Sequence, residues 1–254
     1  VAAACALQGP CMTLSTACSS SAKAFAMGER LISLGVVDAA LVGGVDTLCD
    51  SVLFGFNALQ LVSQEPCRPF DVARCGISIG EAAAFALLER VESAPQAPRL
   101  IGYGEASDAH HMSTPHPQGL GAELALDAAL VRAGIDAAQV DYINLHGTAT
   151  PKNDAVEAAL VARRFPARTR ASSTKGYTGH TLGAAGAVEA ALTLLAMQQA
   201  MVPGNLGCTT PDPACGGHLA LHAESTPVKI ALSNSFGFGG NNACLALACG
   251  GDAA

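Results

Sequence analysis

Short aliphatic stretches alternate along this chain with alanine-rich stretches of helical length, and this alternation limits the folds open to it. Aliphatic runs bounded by glycine or polar residues predict strands at Gly9–Ala17, Val36–Val42, Ala82–Glu89, Leu100–Glu105, Val140–Leu145, Lys229–Ser233 and Asn242–Ala248. The predicted helices are Ser19–Leu34, Thr47–Leu61, Ala122–Ala133, Asp154–Arg164 and Leu182–Ala200. Strands that are apolar along their whole length need cover on both faces, so the pattern predicts an α/β fold of layered strands and helices.

Small side chains dominate the apolar part of the sequence. Apolar residues make up 50% of the 254 residues, whereas aromatic residues are 4% and tryptophan is absent. Such a core lets backbones pack closely. Charged residues are 14%, well below the usual share of about 25%, which predicts buried layers and a buried subunit interface. The segment Ser93–Pro98, with two prolines, is the best candidate linker between two parts of the chain, 1–92 and 99–254.

Composition also excludes several classes of protein. The net charge of −7 comes without a cluster of Lys or Arg, which argues against nucleic acid as the main partner. The longest apolar run, Ala82–Leu88, is too short to span a membrane, and no basic flank precedes an apolar core as in a signal peptide. Ten cysteines without a CxxC pair predict reduced thiols in a cytoplasmic protein and no zinc site. Those expected to be buried include Cys5, Cys49, Cys244 and Cys249.

Two segments place reactive side chains at the ends of predicted strands. Cys18 stands where a strand ends and an alanine-rich helix begins, a position at which the helix dipole favours a thiolate. A buried cysteine beside a serine-capped helix explains the same residues. His146 follows the strand Val140–Leu145, where α/β active sites gather, and Thr148 and Thr150 alternate with small residues after it. A strand-end histidine bonded to the backbone is the alternative.

Two glycine-rich segments complete the set. Ser173–Gly186 carries Lys175 and His180, its glycines allow close approach of a ligand to the backbone, and the next helix carries Glu189. A mostly apolar chain rarely places such groups between buried elements without a use. Asn234–Gly240 has three glycines after a strand and can aim backbone N–H groups at an anion. A tight turn packed by its aromatic residues explains it equally well.

Together these segments resemble a known family. Thr16–Ser20, His146–Pro151, Lys175–Gly186 and Asn234–Gly240 occur in this order, with further agreement at Arg68–Asp71 and Asp108–Met112. They resemble the β-ketoacyl-acyl carrier protein (ACP) synthases, the elongating condensing enzymes of the thiolase fold. The resemblance implies a layered αβαβα fold of two similar halves, with the nucleophile in residues 1–92 and the two histidine motifs in 99–254. Because few residues precede the nucleophile, it also implies that the N-terminal half is incomplete.

The resemblance implies a catalytic role for five residues. Cys18 is the nucleophile that takes the acyl chain from acyl-ACP as a thioester. His146 and His180 donate hydrogen bonds to the malonyl thioester carbonyl and so stabilise the enolate that forms as carbon dioxide leaves. Lys175 pairs with Glu157 and sets the electrostatics of the histidine pair.

Further residues are implied to contact the substrate. Phe238 supplies an N–H group to an oxyanion hole, together with the N–H of the nucleophile, and gates the acyl and malonyl steps. The substrate-binding positions, the two threonines on the phosphopantetheine arm among them, are Thr148, Thr150, Phe236, Gly237 and Gly239. Glu189 resembles a family position beside a structural cation, which is the sole ground for expecting a metal ion here.

The implied activity is that of an acyltransferase that condenses a Cys-bound acyl chain with malonyl-ACP by decarboxylative Claisen chemistry. The pathway is fatty acid synthesis or a related polyketide or aryl-polyene pathway. The implied partners are the acyl carrier protein and a second subunit, either another copy of the chain or a homologue. No intrinsic cofactor is implied, because phosphopantetheine is carried by the ACP. The alternative is a catalytically inactive fragment that keeps every motif.

Related classes match the residues less well. A thiolase needs a second catalytic cysteine near the C-terminal glycine turn, where this chain has Phe238. A chain-starting synthase uses Cys, His and Asn, which the motif around His180 contradicts. A chain-length factor lacks the nucleophilic cysteine, which this chain has as Cys18. The sequence departs from the usual family pattern at Ile77, which replaces an aromatic residue near the acyl pocket, and at Asn241, which replaces Thr. The first departure leaves the preferred acyl length open.

Five further histidines carry no assigned chemistry. Three of them, His110, His111 and His116, lie in a loop that resembles the entrance to the active site and are predicted to be solvated. His218 and His222 are predicted to lie at the surface.

Overall fold

The predicted alternation is present in the computed structural model, which describes residues 1–215 and 217–251. The helices are α1 Ser20–Ser33, α2 Asp50–Ala58, α3 Leu120–Ala133, α4 Pro151–Arg164, the short α5 Lys175–Thr178 and α6 Ala185–Gln198. The strands are β1 Ala39–Asp46, β2 Ala82–Glu89, β3 Arg99–Ser107, β4 Tyr142–Asn144, β5 Arg170–Ser172, β6 Met201–Val202, β7 Glu224–Ser225, β8 Ile230–Gly237 and β9 Asn241–Ala248. The predicted strand Gly9–Ala17 is wrong, since these residues pair with no strand and contribute only an isolated bridge from Thr16 to Cys18.

The larger sheet has five strands in the order β3-β9-β8-β4-β5. Its β3, β9 and β8 strands are antiparallel, whereas β8, β4 and β5 run parallel. Alternate residues of β9 face opposite sides: Cys244 and Ala246 pack into a cluster with side chains of α3 and α4, and Ala243 and Leu245 pack with α1 and α6. Helices therefore cover both faces, which explains why the strand is apolar along its length.

Two further sheets are antiparallel pairs, a short one of β6 and β7 and a longer one of β1 and β2. In the longer pair, which is the smaller of the two layered sheets, Ala39 lies opposite Glu89 and Asp46 opposite Ala82. One face packs on α1 and α6 through small and aliphatic side chains. The opposite face is exposed at Leu41, Val45, Phe85 and Leu87. The α1 and α6 helices thus lie between the two sheets, and α3 and α4 form the layer beyond the larger one.

The central helices approach each other closely at Gly186. A Cβ atom there would lie 2.5 Å from the backbone nitrogen of Ala22, a separation that no side chain tolerates. Glycine therefore allows α6 to lie directly against α1. The N-terminal ends of these two helices carry the predicted nucleophile and the second histidine motif, so their close contact brings the two motifs together.

Some expected burial is not observed. Cys5 and Cys49 are exposed, Cys249 is half-buried and Cys244 is buried as predicted. His218 was expected at the surface but is buried, with Nδ1 3.0 Å from the carbonyl oxygen of Thr169. Among residues 1–215 and 217–251, none of the helices combines the length and the apolar character needed to cross a bilayer.

Candidate active site

A cavity of about 360 Å³ opens where the two parts of the chain meet. Its volume is that of a small-ligand site. Cys18, His146, His180 and Phe238 line it, so residues far apart in the sequence share one wall. The four predicted motifs therefore meet at one place in the structure.

The backbone turns sharply before Cys18. Ala17 has a φ of +53°, a left-handed conformation that costs a non-glycine residue energy, and the hydroxyl of Ser20 donates to its carbonyl oxygen at 2.6 Å. The N-cap of α1 is Ser19, so the thiol lies before the first helical turn. Burial raises the pKa of Cys18 to about 11, and the Lys175 charge and the N–H groups of Phe238 and Cys18 offset it only in part. The predicted thiolate is therefore wrong for the free thiol, which is protonated at neutral pH.

The imidazole of His180 lies next to the thiol. Its Nε2 atom is 3.0 Å from Cys18 Sγ, and its Nδ1 atom has no hydrogen-bond partner among the described residues. Burial, followed by the charge of Lys175, holds the pKa of His180 well below its usual range. A neutral imidazole has one bare nitrogen, so Nε2 can accept the thiol proton.

The second histidine, His146, is neutral for the same reasons, since burial and then the charges of Lys175 and His180 keep its pKa well below the usual range. Its ring stands at 84° to that of His180, with centroids 5.4 Å apart. Lys175 Nζ lies 3.4 Å from Nδ1 of His146. Because an ammonium group can only donate, Nδ1 accepts and Nε2 carries the proton of this imidazole.

The predicted ion pair between Lys175 and Glu157 is wrong. The Lys175 ammonium instead forms a buried ion pair with Glu189 and donates to the His146 carbonyl oxygen at 2.6 Å. Glu189 lies on α6, the next long helix after Lys175, whereas Glu157 lies on α4 and accepts from backbone N–H groups of the His146 loop.

Glu157 binds the backbone of the histidine loop. Its carboxylate accepts from the N–H groups of His146 at 2.9 Å and Gly147 at 2.8 Å, and from the Asn234 amide at 3.0 Å. Burial raises the pKa of Glu157 to about 7 against these hydrogen bonds. Its structural effect is to fix the backbone on which the imidazole of His146 is mounted.

The glycine-rich turn lies against the nucleophile. A Cβ atom at Gly237 would lie 2.9 Å from the Thr16 carbonyl oxygen and 3.3 Å from the Cys18 nitrogen. The ring of Phe238 stacks on that of Phe56, with centroids 5.5 Å apart. This close approach places the Phe238 N–H beside the thiol, together with the N–H of Cys18 itself.

The other predicted substrate positions surround the same cavity. Phe236 lies 5.7 Å from the His146 ring, centroid to centroid, and the hydroxyls of Thr148 and Thr150 are 2.9 Å apart. The N–H of Gly239 donates to the carbonyl oxygen of Met112 at 2.7 Å, which connects the glycine-rich turn to the histidine-containing loop. Every predicted site residue except Glu157, Lys175, Glu189 and Gly239 lines the cavity.

Two family models match consecutive parts of the chain. The β-ketoacyl synthase N-terminal domain matches residues 1–94, and the β-ketoacyl synthase C-terminal domain matches residues 98–209. The chain belongs to the β-ketoacyl synthase family.

Relatives of known name agree with this family. The chain is 39% identical over 261 residues to the mitochondrial 3-oxoacyl-[acyl-carrier-protein] synthase of Arabidopsis thaliana, covering 95% of the chain and 57% of that protein. It is 40% identical over 258 residues to 3-oxoacyl-[acyl-carrier-protein] synthase 2 of Rhizobium meliloti, covering 95% and 61%. The chain therefore spans about three-fifths of the length of these β-ketoacyl synthases.

Solved structures confirm the thiolase-like α/β fold class. A ketosynthase of Xenorhabdus doucetiae, solved in complex with its chain length factor, is 47% identical to this chain with a TM-score of 0.89. The match covers 98% of this chain and 62% of the Xenorhabdus chain. A type II polyketide ketosynthase in complex with its acyl carrier protein is 29% identical with a TM-score of 0.92, covering 98% and 65%.

The sequence did not indicate how residues 61–80 support the site. Backbone hydrogen bonds join Gly76 N–H to the Ala149 carbonyl at 3.1 Å, His180 N–H to the Ser78 carbonyl at 2.7 Å, and Gly80 N–H to the His180 carbonyl at 3.0 Å. The strip Gly76–Gly80 therefore spans both histidine loops. The departure noted at Ile77 was the one signal in this strip, and Ile77 is buried in the cavity wall.

Side chains that line the cavity from α2 and the residues just after it were also missed. Phe56, Leu59 and Leu61 form an apolar wall together with Ile77. A phenylalanine in a chain with so few aromatic residues was the available signal for Phe56. Of the loop histidines, the exposed His111 lines the cavity.

The expected cation beside Glu189 stays a prediction. In the part of the chain that the structure describes, no group of three or more His, Cys, Asp or Glu side chains is arranged to hold a metal ion. The carboxylate of Glu189 contacts the Lys175 ammonium on one oxygen, and its other oxygen has no partner among these residues.

Proposed function

We propose that this chain provides the catalytic centre of a β-ketoacyl-ACP synthase, an acyltransferase that joins an acyl chain to malonyl-ACP with loss of carbon dioxide. The observation that carries the proposal is the contact of 3.0 Å between Cys18 Sγ and His180 Nε2, with the neutral His146 ring beside it in one cavity. The names of the relatives support an assignment to fatty acid or polyketide synthesis.

Acyl transfer begins at the thiol. Cys18 Sγ attacks the acyl-ACP thioester carbonyl as its proton passes to His180 Nε2, and the carrier's sulfur leaves with that proton. The N–H groups of Cys18 and Phe238 hold the oxyanion of the tetrahedral intermediate, since both lie beside Sγ. A protonated thiol with an adjacent neutral base suits this step, because the proton needs an acceptor only when the substrate is in place.

Condensation uses the two imidazoles as donors. His146 carries its proton on Nε2, and His180 can present an N–H from Nε2 once Sγ is acylated and has no proton of its own. Both donate to the malonyl thioester oxygen and stabilise the enolate as the C–CO₂ bond breaks. The enolate carbon attacks the Cys18 thioester, and Sγ leaves as a thiolate that takes up a proton from solvent, so that the thiol is restored and the β-ketoacyl chain remains on the carrier. Lys175 and Glu157 hold the histidine loop and do not touch substrate.

The remaining assignments concern substrate and location. Phosphopantetheine arrives on the acyl carrier protein and contacts Thr148, Thr150 and the turn containing Phe236, Gly237 and Gly239, so the chain needs no cofactor of its own. Phe238 acts as the gate between the two half-reactions. The ten free cysteines are consistent with the reducing environment of the cytoplasm.

A second subunit, either another copy or a homologue, is part of the proposal. Its support is the exposed apolar face at Leu41, Val45, Phe85 and Leu87, together with α2, in which no residue is buried. Exposed apolar patches of this kind mark interaction sites. We further propose that residues 1–92 and 99–254 are the two halves of the catalytic unit.

The test is to incubate the chain with acyl-ACP and malonyl-ACP and to follow both Cys18 and the product by mass spectrometry. We expect an acyl adduct on Cys18 and formation of β-ketoacyl-ACP, both absent in Cys18→Ala. The matched control is Cys75→Ala, an exposed cysteine outside the cavity lining, which should leave both signals unchanged. A folded chain that forms neither adduct nor product would overturn the proposal and favour the inactive alternative.

A further inference from the structure

One wall of the cavity is built by the loop after β4 and the first turn of α4. His146, Thr148 and Thr150 of the loop line it, followed by Pro151, Lys152 and Asn153 of the helix. Exposure rises along this segment, since His146 and Thr148 are buried, Thr150 is half-buried and Lys152 is exposed. The segment therefore runs from the bottom of the cavity at the histidine to the mouth at Lys152.

Lys152 is the one lysine or arginine among the lining residues that the structure describes, and Asp108 is the one carboxylate. The two form no ion pair in the part of the chain that the structure describes. Asp108 is buried and instead accepts from the Asn242 amide at 2.9 Å on one oxygen and from the His116 N–H at 3.0 Å on the other. The Lys152 ammonium at the mouth of the cavity is therefore not held by this carboxylate.

Free cations are unusual in this acidic chain. Of the fourteen lysine and arginine side chains, all but Arg68, Lys152 and Lys229 make a hydrogen bond or an ion pair within the described residues. Only Lys152 of these three lines the cavity. Its ammonium is therefore available to a ligand that enters at the mouth.

We propose that Lys152 binds the phosphate of the phosphopantetheine arm. The inference rests on the proposed function, in which the thioester end of the arm lies at Cys18. The arm is linear, so its phosphate end remains at the mouth while the thioester end reaches the histidines. Lysine binds phosphate as a point charge, and the series Thr148, Thr150, Lys152 then follows the arm from its amide groups to its phosphate.

The test compares two ligands that differ only in the phosphate, the S-alkyl ethers of phosphopantetheine and of pantetheine, by titration calorimetry on the chain. We expect the phosphorylated ligand to bind about fivefold more tightly at low salt, and the difference to shrink as salt rises. Lys152→Ala should remove the difference, Lys152→Arg should restore it, and the matched control Lys229→Ala should leave it unchanged.

Two outcomes would overturn the inference. In the first, Lys152→Ala and the unmodified chain both bind the phosphorylated ligand more tightly than the unphosphorylated one, and by the same factor. The other is a raised KM for malonyl-ACP in Lys152→Ala with no change in the calorimetric difference, which would assign Lys152 to an acidic side chain of the carrier protein. Because the titration needs no turnover, an inert chain that still discriminates the phosphate would refute the proposed activity and leave the inference standing.

Discussion

The parts of the chain on either side of the linker differ in how completely they bury their apolar residues. In β9 every residue from Asn242 to Ala248 is buried, because helices cover both faces of the larger sheet. In the pair β1 and β2 one face is covered and the other exposes four large apolar side chains. The cover of the first of these faces comes from α1 in the same part and from α6 in the other part.

The site draws different chemistry from these two parts. The nucleophile and the apolar wall of the cavity come from residues 1–92, whereas both histidines, the lysine and its carboxylate partner come from the better-buried part. Buried titratable groups need a rigid, low-dielectric setting to keep perturbed pKa values. The second part therefore sets the electrostatics of the site, and the first part supplies the thiol and the apolar wall.

The largest expected effect separates these two contributions. Cys18→Gln should reduce condensation at least about a thousandfold, because no thioester can form, yet leave decarboxylation of malonyl-ACP, which needs the histidines. His180→Ala should reduce both reactions. The measurement is carbon dioxide release beside β-ketoacyl-ACP formation. Loss of decarboxylation in a folded Cys18→Gln variant would contradict this division of labour.

Removing the buried ammonium should be the most destabilising change in the second part. Lys175→Met leaves the Glu189 carboxylate buried without its ion-pair partner, at a cost of about 3–5 kcal/mol. The matched surface control is Arg163→Met, which breaks the exposed pair with Glu123 and should cost about 1 kcal/mol or less. Denaturant unfolding of both variants gives the two values. Equal values would show that the buried pair contributes nothing special to stability.

Two leucines, one in each part, test how much burial contributes to the free energy of unfolding. Leu232 in β8 is fully buried, and Leu232→Ala should cost about 2–5 kcal/mol through lost contacts and a cavity. Leu87 in β2 is 59% exposed, so Leu87→Ala should change the free energy of unfolding by about 0.5 kcal/mol or less. A large cost at Leu87 in the isolated chain would mean that the exposed face is covered in solution, and sedimentation at the same concentration would show whether a second copy covers it.

The most gradual effect is a pH dependence of stability that has opposite sign in the two parts. Burial raises the Glu157 pKa from 4.5 to about 7, so the folded chain binds the extra proton and its stability falls as pH rises through that interval, by up to about 1.4 kcal/mol per pH unit. Burial also acts on Asp71, but N–H groups of Thr210, Ala73 and Thr209 outweigh it and lower its pKa. Its contribution is therefore present above the unfolded pKa and lost as pH falls.

Unfolding curves at several pH values test this contrast. Glu157→Gln should flatten the decline between pH 4.5 and 7, and Asp71→Asn should flatten the loss of stability on the acid side. The opposite assignment, with Glu157→Gln leaving the slope unchanged, would show that the carboxyl of Glu157 is ionised throughout in the folded chain.

Local sequence patterns predicted most of the helices and strands, because the ends of these elements depend on residues close by in the sequence. The strand Ala82–Glu89 has the predicted bounds, and α1 and α3 differ from their predicted bounds by one or two residues, since apolar periodicity and a glycine after the last turn define such ends. The strand predicted for Gly9–Ala17 is wrong, because a segment becomes a strand only when a neighbouring strand supplies hydrogen bonds. Whether such a strand lies beside it depends on the whole fold and not on the local sequence.

The sequence predicted which residues form the site, but it did not predict which residues contact each other there. Motif order identified the cysteine and the histidines, but the partner of Lys175 depends on which helix returns beside it, and Glu157 and Glu189 are equally acidic in the sequence. The pKa of the Cys18 thiol was mispredicted for the same reason. The position of Cys18 before a helix suggested a low pKa, whereas the burial that raises this pKa to about 11 arises only from the packing of the folded chain.

The strip Gly76–Gly80 has a consequence for recombination between homologues. Its hydrogen bonds to both histidine loops mean that the spacing of the imidazoles is set partly by residues that precede the linker. A chimaera that joins residues 1–92 of one family member to the second part of another therefore replaces the strip to which both histidine loops are bonded, together with part of the cavity wall. Moving the crossover point ahead of Leu61 keeps the strip with the loops that it aligns, and Leu61 and Ile77 of the apolar wall then stay with those loops.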